Sequence, residues 1–151
     1  MRPLPPGFEA SHEILVTPAM TVDFEDRTDA RLGQLHAVYA TYWLVKHMEL
    51  TSRKLILPFL EEGEDGIGHA VSVRHLASAL PGMRVTLTAR CEHVTGNRVH
   101  ATCVAVNELG DVVGEGTTVQ VVVPTSVLER GFARLRERFA AAQAAADERE
   151  R

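Results

Sequence analysis

The sequence of 151 residues has few cysteines, few aromatic residues, no long apolar run and no basic excess. Two cysteines cannot hold a disulfide scaffold and fit a reduced chain. No stretch reaches the roughly 18 apolar residues that cross a bilayer, and the first residues lack the apolar core of a signal peptide. Lys and Arg number 16 against 20 Asp and Glu, which argues against a nucleic-acid partner. We therefore expect a cytoplasmic protein that binds neither nucleic acid nor membrane.

The overall composition is that of a globular domain, with 45% hydrophobic and 24% charged residues. The length suits a single domain. Proline-rich residues 1–10 are predicted to be irregular, and residues 11–140 are predicted to form the domain. The Ala-rich and then charged end, residues 141–151, is predicted to fray.

The strongest helical pattern runs from Leu35 to Leu57, where apolar residues recur with the period of an α-helix. His47, Thr51 and Lys54 fall on the side opposite the apolar face. This face covers more than half of the circumference, which is more than one sheet can cover. We therefore expect a second subunit, in a homodimer or a higher homo-oligomer. The residues of the predicted apolar face are Val38, Tyr42, Leu44, Val45, Met48, Leu55 and Ile56.

After Gly68 the apolar period changes from 3.6 to two, which predicts strands at 70–77, 83–94, 99–105 and 112–123. A shorter strand is predicted at 13–17, loops at 23–33 and 61–66, and a second helix at 125–140. A long helix followed by consecutive antiparallel strands indicates an α+β fold in which the helix lies across one sheet. The residues predicted to face inward on the strands at 83–94 and 99–105 are Val85, Leu87, Ala89, Cys91, Val99, Ala101, Cys103 and Ala105. The second helix carries one apolar stripe, formed by Leu128, Phe132, Leu135 and Phe139.

Glu49 is the most unusual residue of the first helix, because the pattern places its carboxylate on the apolar face. Burial raises the pKa of a carboxyl group, which suits a general base or a nucleophile. The alternative is an ion pair with Arg53, which lies four residues further along the helix.

Three further residues have both a functional and a structural interpretation. His75 ends a predicted strand and is either a catalyst or a hydrogen-bonded core residue. Gly68 opens that strand, where it either offers its N–H to a ligand or serves only as a turn. Thr41 lies near the start of the helix, where most threonines bond to a carbonyl one turn earlier. No His, Cys or carboxylate pair has the spacing of a zinc site, so no metal is expected.

These residues together carry a resemblance to a known family. The sequence from Ala40 to Gly82 is similar to hot-dog-fold acyl-CoA thioesterases of the fluoroacetyl-CoA thioesterase type. The spacings between Thr41, Glu49, Gly68 and His75 match that family without a gap, and weaker similarity continues to about Val123. The other shared residues are Met48, Gly63, Glu64, Val73, Arg74, Leu76, Ala77 and Pro81.

The resemblance implies a hot-dog fold, in which an antiparallel sheet wraps around a long central helix, here with an extra C-terminal helix. It also implies a dimer with active sites at the subunit interface, and hydrolysis of a small or medium acyl thioester of coenzyme A or of an acyl carrier protein. Thr41, Glu49 and His75 would form the catalytic set, and the Gly68 N–H would stabilise the oxyanion. No cofactor is implied beyond the coenzyme A of the substrate.

The predicted last strand departs from the family. Relatives often carry Gly-Thr-His-x-Arg, whereas this chain has Thr118 and Gln120 at the His and Arg positions. Gln120 would contact the ligand as a neutral residue. Two other functions stay open on the sequence: a hot-dog hydratase or dehydratase acting on an activated double bond, and a non-catalytic acyl-CoA-binding protein. The only asparagines, Asn97 and Asn107, lie at predicted hairpin turns, which weakens the familiar Asp/His/Asn form of a hydratase.

The spacing of Thr41 and Glu49 bears on how the site is assembled. If both are helical, eight residues separate their backbones by ~12 Å along the axis, with ~80° between them. Side chains that far apart do not easily meet around one thioester carbon. Either Thr41 lies in a bent segment where the chain enters the helix, or the two residues serve one site from different subunits. We expect the second arrangement.

Overall fold

The computed structural model describes residues 1–26 and 28–149, which form seven strands and two α-helices. The helices are α1 (Thr41–Ile56) and α2 (Thr125–Arg149). The strands are β1 (Glu9–Leu15), β2 (Thr21–Asp23), β3 (Gln34–Tyr39), β4 (Glu64–His75), β5 (Arg84–Thr95), β6 (Arg98–Asn107) and β7 (Val112–Pro124).

Five strands form one antiparallel sheet in the order β1-β5-β6-β7-β4, and α1 packs in its concave face. β2 and β3 form a separate two-stranded ribbon. The α+β architecture predicted from the sequence is confirmed. The predicted inward faces of β5 and β6 are also confirmed, since all eight of their predicted inward residues are buried. Much of the core therefore lies between α1 and the inward faces of β5 and β6.

The first helix begins at Thr41, six residues later than predicted. Residues 34–39 are instead the strand β3, in which Tyr39, His36 and Gln34 pair with β2. Ala40 is extended, with φ −79° and ψ 147°, and it is the residue before the first helical turn. Pairing with β2 outweighs the local helical pattern, because propensity is a weak signal beside tertiary contacts.

The buried face of α1 is rotated away from the predicted one, toward His47 and Thr51. These two polar residues were predicted to lie on the outer side, yet they are 5% and 0% exposed. Each has a hydrogen-bond partner: His47 bonds to Tyr39, and the Thr51 hydroxyl donates to the His47 carbonyl. Burial of polar groups costs little when they are hydrogen-bonded. The prediction placed the buried face wrongly because it assigned polar residues to the outer side on their polarity alone. Glu49 is exposed in the single chain rather than central to the apolar face.

Several boundaries differ from those predicted. β4 begins at Glu64, so it includes part of the segment predicted as an acidic loop. The loop predicted at 23–33 follows directly on β2 and contains a short 3₁₀ turn at Ala30–Leu32. The irregular segment predicted at 1–10 ends where β1 begins, at Glu9. The tail predicted at 141–151 is helical as far as Arg149, and residues 150–151 lie outside the described residues.

Close packing of β7 on β4 depends on Gly116, and we expect Gly116→Ala to destabilise the protein. A Cβ there would overlap the Ser72 carbonyl oxygen and lie 3.1 Å from the Val73 Cα. Since backbone atoms cannot move aside cheaply, the free energy of unfolding should fall by about 1–3 kcal/mol, measured by urea denaturation.

The matched control is Gly131→Ala in α2, where a Cβ would meet no atom within 4 Å. This change should leave stability unaltered or raise it by about 1 kcal/mol, because Ala is the better helix former. Equal unfolding midpoints for the two variants would contradict the packing argument.

Candidate functional site

The start of α1 and the end of β4 bring Thr41 and His75 together. Thr41 is the first residue of α1, and its Oγ1 lies 2.9 Å from Nδ1 of His75. The other ring nitrogen of His75, Nε2, is buried and has no hydrogen-bond partner among the described residues. The threonine hydroxyl therefore fixes the orientation of the imidazole, while Nε2 is left without a partner inside the described part of the chain. We call these two residues the threonine–histidine pair.

The β2–β3 ribbon forms a wall beside the threonine–histidine pair. A cavity of about 340 Å³ is lined by Thr41 and His75 together with Val22, Val38 and Tyr39. The Tyr39 ring is fully buried and stands edge-on to the His75 ring, with 6.4 Å between centroids. Sequence reasoning assigned no element to Val22, and it missed Val38 and Tyr39 as wall residues because it placed 35–57 in one helix. The signal that could have found them is the period-two alternation of Leu35, Ala37 and Tyr39, which is typical of a strand.

Tyr39 is itself held by a second histidine, His47. The Tyr39 hydroxyl lies 2.6 Å from His47 Nδ1, and the two rings are nearly parallel. The Trp43 ring also packs against His47, with 5.7 Å between the ring centroids. Burial, with smaller contributions from the charges of His12 and Lys46, lowers the pKa of His47 to about 4. Burial also raises the pKa of Tyr39. His47 is therefore neutral near pH 7, and its Nδ1 shares a hydrogen bond with the Tyr39 hydroxyl.

Glu49 lies two turns further along α1, with its carboxylate against Gly68 of β4. A Cβ at Gly68 would overlap the Glu49 carboxylate, so only glycine permits this approach. The ion pair with Arg53 that the sequence left open is not formed: Arg53 bonds to the Asp65 carboxylate at 2.6 Å and to the Gly66 carbonyl. Within residues 1–26 and 28–149, Glu49 has no ion-pair partner. Its carboxylate is thus exposed to whatever binds beside Gly68.

The two positions at which the sequence departs from the family lie two residues apart on β7. Gln120 is 3% exposed and pairs in register with Gly68, and its Oε1 lies near Gly66. Thr118 is also buried, and its hydroxyl lies 2.6 Å from the Ser52 Oγ of α1. Gln120 is therefore placed beside the candidate acid, whereas Thr118 joins β7 to the helix.

The candidate residues form two separate clusters within one chain. The threonine–histidine pair is one, and the acid cluster of Glu49, Gly68 and Gln120 is the other. Gly68 and His75 are seven residues apart on β4, which corresponds to roughly 20 Å along a strand. The structure thus brings Thr41 to His75 and Glu49 to Gly68, but it does not bring the two clusters together.

Two further properties of the described part of the chain bear on its chemistry. None of its groups of three or more His, Cys, Asp or Glu side chains has an arrangement that could hold a metal ion. None of the helices in residues 1–26 and 28–149 combines the length and the apolar character needed to span a membrane.

His47 should make the stability of the fold sensitive to acid. Its pKa is about 4 in the folded protein, below the ordinary value of 6.5. As the pH falls below 6.5 the unfolded chain takes up a proton first, so the stability is full above pH 6.5 and declines toward pH 4. His47→Gln should flatten this decline by up to about 3 kcal/mol, measured by urea unfolding across that pH range.

A suitable control is His36→Gln, which removes an exposed histidine of β3. It should leave the pH profile of stability parallel to that of the original protein. Parallel profiles for His47→Gln as well would show that His47 does not carry the acid sensitivity.

Comparisons with known proteins agree with this geometry. The family model described as fluoroacetyl-CoA-specific thioesterase matches residues 16–126, which hold both clusters. The fluoroacetyl-CoA thioesterase of Streptantibioticus cattleyicolor is 31% identical over 132 residues, covering 87% of this chain and 92% of the relative.

Solved structures show the same architecture. A Thermus thermophilus hypothetical protein described as a thioesterase superfamily member is 60% identical, with a TM-score of 0.89, covering 93% of this chain and 99% of that one. A structure of the fluoroacetyl-CoA thioesterase FlK is 30% identical, with a TM-score of 0.79, covering 89% and 97%. These matches confirm the hot-dog architecture expected from the sequence.

Proposed function

This chain belongs to the fluoroacetyl-CoA thioesterase family of hot-dog-fold thioester hydrolases, and we propose that it hydrolyses a small or medium acyl thioester at a site shared by two subunits. The thiol is coenzyme A or the prosthetic arm of an acyl carrier protein. The observation that carries the proposal is the position of Glu49, whose carboxylate lies against the backbone of Gly68 and has no ion-pair partner among residues 1–26 and 28–149. Hydrolysis consumes only water, so the reaction calls for no cofactor beyond the coenzyme A of the substrate.

The free edge of β4 supports a dimer. Among the described strands, β4 is the last of the sheet and pairs with β7 on one side only, and an unpaired edge is a template for another strand. Antiparallel pairing of two copies of β4 would bring the His75 end of one strand to the Gly66–Gly68 end of the other. Each of the two resulting sites then contains the threonine–histidine pair of one copy and the acid cluster of the other.

In such a site the residues have complementary roles. Glu49 attacks the thioester carbonyl or removes a proton from the attacking water, and the Gly68 N–H stabilises the oxyanion that forms. His75, held by Thr41 through Nδ1, shares the transfer of protons with Glu49 and helps to protonate the departing thiolate. The products are a carboxylic acid and a free thiol.

Gln120 bears on the choice of acyl group. It supplies a neutral amide beside Glu49 and Gly68, where relatives often carry a charged arginine. A neutral side chain cannot pair with a charged acyl group or with the carboxylate of Glu49 as an arginine does. We therefore propose uncharged small or medium acyl groups as substrates and do not single out fluoroacetyl-CoA.

The function is tested with a panel of acyl-CoAs and a thiol reagent, comparing the protein with Glu49→Gln. We expect free thiol from the unchanged protein and a loss of about 10²- to 10⁴-fold in kcat/KM for the variant, because the amide cannot act as base or nucleophile. Glu62→Gln, an exposed acid of the loop before β4, is the control and should retain full activity.

Three outcomes would count against the proposal. Full turnover by Glu49→Gln would show that the Glu49 carboxylate takes no part in catalysis. Consumption of a double bond without release of thiol would indicate a hydratase, and stable binding of acyl-CoA without turnover would indicate a carrier.

The shared site is tested by exchanging subunits between Thr41→Ala and Glu49→Gln. If the clusters come from different subunits, each mixed dimer has one site with both changes and one intact site. Since about half of the dimers are mixed at equal concentrations, roughly a quarter of the original activity should return.

The matched control mixes Thr41→Ala with His75→Ala. These residues belong to one cluster, so every site of that mixed dimer carries one change and activity should not return. An inactive Thr41→Ala and Glu49→Gln mixture, with exchange verified by mass spectrometry of differently labelled chains, would contradict the shared site.

A further inference from the structure

The second helix, α2, carries an apolar stripe that the described part of the chain leaves uncovered. α2 has 25 residues and none of them is buried. Phe132, Leu135 and Phe139 are 52%, 59% and 63% exposed. Its first residue is fixed to the domain, because the Thr125 N–H donates to the Gly63 carbonyl. An amphipathic helix draws most of its stability from packing of its apolar face, so this stripe calls for a partner.

The spacing of the stripe indicates what kind of partner fits it. Its bulky residues are Leu128, Phe132, Leu135 and Phe139, and the same steps of four and three continue to Ala142 and Ala146. Alternating steps of four and three give an average period of about 3.5, which is the seam of a coiled coil. Such a seam is complementary to another helix with the same repeat. We propose that α2 pairs with α2 of a second copy of this chain as an antiparallel coiled coil.

One antiparallel register brings all four bulky residues into contact. When Phe132 lies opposite Leu135 of the second copy, Leu128 lies opposite Phe139, and the twofold axis repeats both layers. This gives four consecutive layers, each formed by one leucine and one phenylalanine. Leucine and phenylalanine in opposite positions fill a layer without two rings or two aliphatic chains facing each other.

The charges beside the seam favour the same register. Glu129 and Arg136 occupy equivalent flanking positions, each directly following a leucine of the stripe. In an antiparallel pair such positions face each other, so Glu129 of each copy meets Arg136 of the other. In a parallel pair the facing residues would be Gly131 with Arg136 and Arg138 with Gln143, which carry no opposite charges. Charge complementarity thus selects the antiparallel arrangement.

Disulfide trapping tests the register directly. In co-expressed Phe132→Cys and Leu135→Cys chains, we expect a cross-link between the two variants on mild oxidation, because opposite residues of one layer meet the distance that a disulfide needs. Neither variant alone should cross-link efficiently. Self-cross-linking of Phe132→Cys alone would show a parallel pair, and no cross-link in the mixture would show that the stripe does not pair with itself; either result overturns the proposal.

Charge reversal provides an independent readout. Glu129→Arg should lower the yield of the cross-link about tenfold, because two ion pairs become two repulsions, and adding Arg136→Glu to it should restore the yield. The matched control reverses Arg130 and Glu137, which lie on the solvent side of the predicted seam and should have no effect. None of these residues belongs to the proposed catalytic site, so retained thiol release shows that each variant is folded.

The four arginines at 130, 134, 136 and 138 suggest one competing occupant, an anionic membrane surface. Vesicles containing phosphatidylserine provide the probe. We expect no binding by the protein. Binding that Phe132→Ser abolishes, without a cross-link in the mixed cysteine variants, would assign the stripe to the membrane instead.

Discussion

The close approach of α1 to strands β4 and β7 is the constraint on which the rest of the structure depends. At Gly68, Gly66 and Gly114 a Cβ would overlap Glu49, Ile56 and Leu44 of the helix, respectively. These glycines leave no side chain between the helix and the strands, so helix side chains reach the sheet backbone. The position of the candidate acid against the backbone of Gly68 therefore depends on residues of β4 as much as on its own helix.

The two clusters are separated by a difference between helix and strand geometry. A helix rises about 1.5 Å per residue and a strand about 3.3 Å. The seven residues from Gly68 to His75 therefore span nearly twice the length of the eight residues from Thr41 to Glu49. Thr41 and His75 meet where α1 begins and β4 ends, and Glu49 and Gly68 meet two turns further along α1. A second copy with the opposite strand direction is the simplest way to bring both clusters to one thioester. The free edge of β4 offers that direction.

Much of this could be predicted from the sequence, and the exceptions have physical reasons. The inward residues of β5 and β6 followed from strict alternation, and the family and its thioesterase class followed from four residues in register. The face of α1 was misplaced because His47, Thr51 and Ser52 are buried with hydrogen-bond partners, which hydropathy does not register. The β2–β3 ribbon was missed because its short strands depend on contacts between distant residues. The positions of Thr41 and Glu49 in a shared site were inferred from spacing and stay a prediction.

The start of α1 at Thr41, rather than at Leu35, matters for the chemistry. A threonine inside a helix ordinarily bonds to a carbonyl one turn earlier, and its hydroxyl is then occupied. At the first position of α1 the preceding residues are extended, so no such carbonyl is in place and the hydroxyl is available to His75. The same extended segment places Tyr39 beside the His75 ring, and the bond from Tyr39 to His47 ties that segment to the second turn of the helix. The strand that replaces the first predicted turns of the helix is therefore what makes the threonine–histidine pair possible.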